Sequence, residues 1–73
     1  MITEKEYFHL VEKSENYVID NPNTRLGQAL FNIFFESYSE IVQSIENTDK
    51  DPYHNNQNIQ RFLNYIKEHV NYH

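Results

Sequence analysis

The sequence predicts an all-α domain, a compact bundle of three longer helices and one short helix that occupies residues 1–73 as a single unit. Through most of the chain, apolar residues recur three and four positions apart, as they do on one face of a helix. The polar stretches between these segments contain both prolines, which interrupt helices. A chain of 73 residues has room for one domain only.

The first helix is predicted over residues 3–18. Thr3 followed by Glu6 is a capping box, which marks a helix start. Phe8 and Val11 belong to the apolar stripe that comes after it. The turn at 20–23 contains Pro22, which a helix cannot continue through, so the helix ends before it.

The second helix is predicted over residues 24–36, with Asn23 or Thr24 as its cap. It is apolar over much of its circumference, which indicates that it forms the centre of the fold. The only glycine, Gly27, lies in its first turn, where glycine costs about 1 kcal/mol relative to alanine. Close approach by another part of the chain would compensate for that cost.

A short third helix is predicted over residues 39–47 and a fourth over 57–70, separated by a polar loop at 47–56. Loops of this length in small domains are often functional. The apolar spacing also predicts which side chains form the core. These are Phe8, Val11, Leu26, Leu30, Ile33, Ile41, Ile45, Ile59, Phe62, Leu63 and Ile66.

Charge and composition exclude several classes of protein. Eleven acidic residues against six basic ones give a net charge of −5, which argues against direct nucleic-acid binding. The chain has no cysteine, so disulfides and thiolate metal sites are excluded. It contains no apolar run of membrane-spanning length, and the early charges at 4–6 do not resemble a signal peptide. We expect a cytoplasmic protein of a bacterium or an infected host, with no membrane association.

Three polar groups could carry chemistry, but each has a simpler interpretation. They are His69 with His73, Asp49 and Asp51 with His54, and His9 with Glu6 or Glu12. The first is a pair of surface histidines without a third ligand, and the second lacks the glycine and closing glutamate of a calcium loop. The third has no nucleophile or oxyanion hole near it. We expect no enzymatic activity, no metal and no cofactor.

A polar edge on the second helix is the most unusual feature. Arg25 stands at the helix start, where the helix dipole opposes a positive charge. We therefore expect it to have a partner, either Asp51 in a two-pronged ion pair or a backbone carbonyl of the long loop. Gln28 and Asn32 extend this edge. The favoured interpretation is that these side chains pin the loop against the helix, and the alternative is a direct role in binding.

The surface around this edge is the candidate partner-binding surface. Rigidly held loops and exposed aromatic side chains are common features of protein contact sites. The candidate residues are Arg25, Gln28, Phe35, Tyr38, Asp51 and Tyr53.

These residues fall within a wider sequence pattern. It consists of Arg25-Leu26-Gly27-Gln28-Ala29-Leu30-Phe31-Asn32, Thr48, Asp51-Pro52-Tyr53, Asn58-Ile59 and Phe62-Leu63. It resembles a family of short uncharacterised bacteriophage and bacterial open reading frames, which share an Arg-x-Gly-Gln segment, a following Asn and an Asp-Pro-aromatic loop. His54 departs from the pattern, which elsewhere covers most of the chain. The resemblance implies a compact helical fold and a phage connection, but no mechanism.

We therefore expect a small acidic non-enzymatic accessory protein that acts by protein–protein contact. The resemblance makes it a phage-encoded modulator of a host process or defence system. One alternative is an acidic decoy that occupies a nucleic-acid site on a host enzyme. Another is a small hydrolase or metal protein, for which the sequence offers no chemical signature.

Overall fold

The computed structural model describes residues 2–71, and within that range four α-helices account for most of the chain. They are α1 (Glu4–Asp20), α2 (Leu26–Ser37), α3 (Ser39–Gln43) and α4 (Ile59–Lys67). A 3₁₀ helix, Asn56–Asn58, leads directly into α4. All four predicted helices are present, but α3 and α4 are shorter than predicted.

The structure contains two short strands, which the all-α prediction did not include. β1 (Ile2–Thr3) and β2 (Val70–Asn71) are parallel, with Ile2 opposite Val70. Both of these side chains are buried. Ile and Val are β-branched and suit an extended backbone that packs on a core. The chain therefore leaves the helix after Lys67 and pairs with its other end, so the fold is mainly helical rather than all-α.

The first helix begins as predicted but turns a different face to the core. The Thr3 hydroxyl accepts a hydrogen bond from the amide of Glu6 at 3.1 Å, which confirms the capping interaction. Tyr7, Leu10 and Ser14 form the buried face. Phe8, predicted in the core, is 59% exposed because it lies one position further around the helix.

The core lies between α1, α2 and α4, with the Phe34 and Phe62 rings in edge-to-face contact at 5.7 Å. Five predicted core residues are buried: Leu30, Ile33, Ile45, Phe62 and Ile66. Five others are partly buried against them: Val11, Leu26, Ile41, Ile59 and Leu63. The radius of gyration is 11.4 Å, close to the value of about 11 Å expected for a compact chain of this length. Within residues 2–71, every helix is too short or too polar to cross a membrane.

Candidate functional site

The carboxylate of Asp51 organises the loop that connects α3 to the 3₁₀ helix, residues 44–55. Its two oxygens accept hydrogen bonds from the backbone amides of Asn47, at 2.7 Å, and Tyr53, at 2.9 Å. Asn47 has a φ of 66°, in the left-handed region that Asn enters more easily than most residues. Asp51 is itself buried. Because both carboxylate oxygens are used inside the loop, the loop has a defined shape.

This loop lies directly on the start of α2, and Gly27 is the point of contact. A Cβ added at Gly27 would overlap the carbonyl of Pro52. The Gly27 amide donates a hydrogen bond to the side-chain oxygen of Asn56 at 3.0 Å. The close approach predicted for the single glycine is confirmed, and Asn56 takes the capping role predicted for Asn23 or Thr24.

Arg25 contacts the loop, but not through the predicted ion pair. One guanidinium nitrogen donates to the backbone carbonyl of Tyr53 at 3.0 Å, whereas the Asp51 carboxylate binds amides of its own loop. The two-pronged pair with Asp51 is therefore wrong, and the alternative, a loop carbonyl, is confirmed. The turn places a backbone amide beside each oxygen of Asp51, so the carboxylate is hydrogen-bonded without the arginine.

Gln28 provides a second attachment to the same loop residue. Its side-chain amide donates to the Tyr53 hydroxyl at 3.3 Å. The interpretation that Arg25 and Gln28 pin the loop is thus confirmed. Asn32 does not extend this contact, because it lines a groove of about 320 Å³ between α1 and α2, together with Lys13 and Tyr17.

Aromatic rings connect the loop to the outer face of α2. The Tyr53 ring meets Phe31 edge to face at 5.5 Å, and Phe31 is stacked on Phe35 at 5.9 Å. The His54 ring also contacts Tyr53, and the centres of these two rings are 4.7 Å apart. We refer to Phe35, Phe31, Tyr53 and His54 as the aromatic row. Phe35 remains 37% exposed, so the row offers apolar surface to solvent.

Tyr38, the remaining candidate, lies apart from this row. It stands at the junction of α2 and α3, and its environment includes Glu6 of α1. Burial first, and then the hydrogen bond and negative charge of Glu6, raise the pKa of Tyr38 above its ordinary value. The structure therefore joins Arg25, Gln28, Phe35, Asp51 and Tyr53 in one region and places Tyr38 outside it.

A small cavity of about 130 Å³ opens beside the aromatic row. It is lined by Phe31, Glu46, Asn47, Asp51, Tyr53 and His54. The predicted contact surface did not include four of these lining residues: Phe31, Glu46, Asn47 and His54. Phe31 lies four residues before Phe35 and three after Gln28, a spacing that could have placed it there. Glu46, Asn47 and His54 belong to the same loop as the predicted Asp51 and Tyr53, so their closeness in sequence could have indicated them.

Of the groups considered as chemical sites, His9 and Glu12 line one shallow groove on α1, together with Lys13. Within residues 2–71, no three His, Asp or Glu side chains are grouped so that they could hold a metal ion. His73 lies outside the described residues, so its pairing with His69 is not described. The His54 ring packs on Tyr53, and the Asp51 carboxylate accepts a hydrogen bond from a backbone amide of the loop.

Comparisons with protein-family models, with curated proteins and with solved structures give no match to this chain. The resemblance to short phage and bacterial reading frames therefore stays a prediction, and the functional conclusion depends on the geometry of the site.

Proposed function

We propose that this chain is a small, non-enzymatic accessory protein that acts by protein–protein contact through the aromatic row and the loop beside it. The observation that carries the proposal is the exposed Phe35 ring, stacked on Phe31 and continuous with Tyr53. Aromatic side chains held on a rigid support are favoured anchors of protein interfaces because they bury much area and lose little entropy.

The support beneath the row is rigid for reasons visible in the structure. Tyr53 is held at its amide by Asp51, at its carbonyl by Arg25 and at its hydroxyl by Gln28. A loop that is ordered before binding loses less conformational entropy when a partner docks. In line with the sequence resemblance, the role we propose is that of a phage-encoded modulator of a host process in the bacterial cytoplasm.

The chain offers a matched pair of variants for the test. Phe35→Ala removes a ring from the row, and Phe8→Ala removes an exposed ring from α1. Proteins retained from a bacterial lysate by the wild type and by Phe8→Ala, but lost with Phe35→Ala, would support the proposal if circular dichroism shows both variants folded. Equal retention by all three would contradict it. Retention that falls steeply with salt would instead favour the acidic decoy.

A further inference from the structure

The cavity beside the aromatic row has the lining of a site for a positively charged side chain. We propose that the partner inserts an arginine side chain into it, between Phe31, Tyr53 and Glu46. This inference depends on the protein-contact function proposed above and specifies the chemistry of the partner.

The charges around the cavity are one-sided. Its lining includes the carboxylates of Glu46 and Asp51 and the imidazole of His54, but no lysine or arginine. The lining also includes the rings of Phe31 and Tyr53. A cation that lies within about 6 Å of a ring face is attracted by the partial negative charge of that face. The Asp51 carboxylate already accepts two loop amides, so Glu46 is the carboxylate in this lining that has free acceptor positions for a cation.

Arg25, Lys50 and Arg61 each contact another group. Arg25 donates to the carbonyl of Tyr53, and the Lys50 ammonium lies 5.4 Å from the centre of the Tyr65 ring. Arg61 donates to the side-chain oxygen of Asn58 at 3.2 Å. None of these three contacts is made to Glu46, whose exposed carboxylate can accept a cation from outside.

The size and shape of the cavity suit a single planar group. A volume of about 130 Å³ admits the end of one side chain, not a helix or a strand. A guanidinium can lie flat against a ring while its in-plane N–H groups donate to a carboxylate. Glu46 and the side-chain carbonyl of Asn47 are acceptors in the lining for such donors.

Two peptides provide the direct test. In acetyl-Gly-Arg-Gly-amide the side chain is cationic, and in acetyl-Gly-citrulline-Gly-amide it has nearly the same shape without the charge. With the ¹⁵N-labelled protein, we expect the arginine peptide to shift the amide resonances of Asn47, Tyr53 and His54, and the citrulline peptide to leave them in place. No shift with arginine up to its solubility limit, or equal shifts with both, would overturn the proposal.

A charge-matched pair of variants locates the effect. Glu46→Gln should weaken arginine-peptide binding about two- to fivefold, the range of a partly exposed ion pair. Glu36→Gln removes the same charge from α2, beside the groove with Lys13, and should leave affinity unchanged. An equal loss in both variants would mean that net charge alone attracts the peptide, which would also overturn the proposal.

The two proposals fail separately. If Phe35→Ala abolishes partner retention while the arginine peptide does not bind, the arginine site is wrong and the contact surface stands. The arginine peptide could instead bind at Asn47 and Tyr53 while Phe35→Ala retains partners as well as the wild type does. In that case the arginine site stands and the aromatic row is not the contact surface.

Discussion

The backbone amide of Gly27 donates a hydrogen bond to the side-chain oxygen of Asn56, 29 residues further along the chain, at 3.0 Å. The first amides of a helix have no partner within the helix itself. Arg25, at the N-cap of α2, provides no side-chain cap. The loop therefore completes the central helix from outside, and the candidate site is built at that junction.

Gly27→Ala should destabilise the protein even though alanine favours helices. The gain in helix propensity is about 1 kcal/mol. The added methyl would meet the Pro52 backbone, which cannot rotate away as a side chain could, and such overpacking costs about 1–3 kcal/mol. Urea unfolding measures the difference. Asn32→Ala, at an exposed position of the same helix, should be neutral or stabilising. A Gly27→Ala protein at least as stable as the wild type would show that the loop does not pack as described.

Asn56→Ala should cost about 0.5–2 kcal/mol, the usual loss when a helix cap is removed. The matched control is Asn23→Ala, since Asn23 precedes the helix in sequence but lies exposed in the turn before it. Thermal unfolding of the two variants should show the larger drop for Asn56. A larger drop in the unfolding temperature for Asn23→Ala would indicate that Asn23, as the sequence predicts, caps the helix.

Asp51→Ala should destabilise by about 1–3 kcal/mol because it leaves the amides of Asn47 and Tyr53 without their acceptor. Asp49→Ala, at an exposed neighbouring position, should stay within about 0.5 kcal/mol of the wild type. Hydrogen exchange of the Tyr53 amide provides a local measurement. Faster exchange in Asp51→Ala but not in Asp49→Ala is expected, and equal rates would refute the proposed role of the carboxylate.

Leu30→Ala should cost about 2–5 kcal/mol, since Leu30 is buried at the centre of α2. Phe8→Ala removes a larger side chain but should cost less than about 1 kcal/mol, because Phe8 is largely exposed. A domain of this size has only a few kcal/mol of stability, so Leu30→Ala could unfold it outright. Ile66→Val, expected at about 0.5–1.5 kcal/mol, is the milder core variant. A loss for Phe8→Ala as large as that expected for Leu30→Ala would contradict the observed face of α1.

The pKa of Tyr38 is raised, so its neutral phenol is favoured in the folded protein. The resulting contribution to stability is complete below the ordinary tyrosine value of 10.0 and is lost as the pH rises through the raised folded pKa. In an ultraviolet titration, the difference between the wild type and Tyr38→Phe should therefore appear above that value. Glu6→Gln should lower the pKa of Tyr38, because it removes the neighbouring negative charge. An unchanged titration in Glu6→Gln would mean that burial alone sets the shift.

Local sequence patterns predicted much of the fold correctly. The four helices, the Thr3 cap and the burial of Phe62 and Ile66 follow from interactions between residues three or four positions apart. Phe8 shows where this reasoning fails. Tyr7 and Phe8 are adjacent and both aromatic, so spacing alone does not decide which of them faces the core.

The candidate site was predicted only in part. The sequence indicated that Arg25 needed a partner and that Gly27 needed a close neighbour, because each is unfavourable in the first turn of a helix. It did not indicate that Arg25 would select the Tyr53 carbonyl over Asp51. That choice depends on how the turn at Asn47 presents its amides to the carboxylate.

By itself, the sequence determined the elements whose stability comes from nearby residues: the helices, the apolar faces of α2 and α4, and the turn at Pro22. The tertiary structure alone decided the pairing of Ile2 with Val70, the capping of α2 by Asn56, and the contact of the Phe31 ring with Tyr53. These contacts join residues far apart in the chain. Their free energy appears only once the helices have packed and brought the two segments together, so no local pattern specifies them.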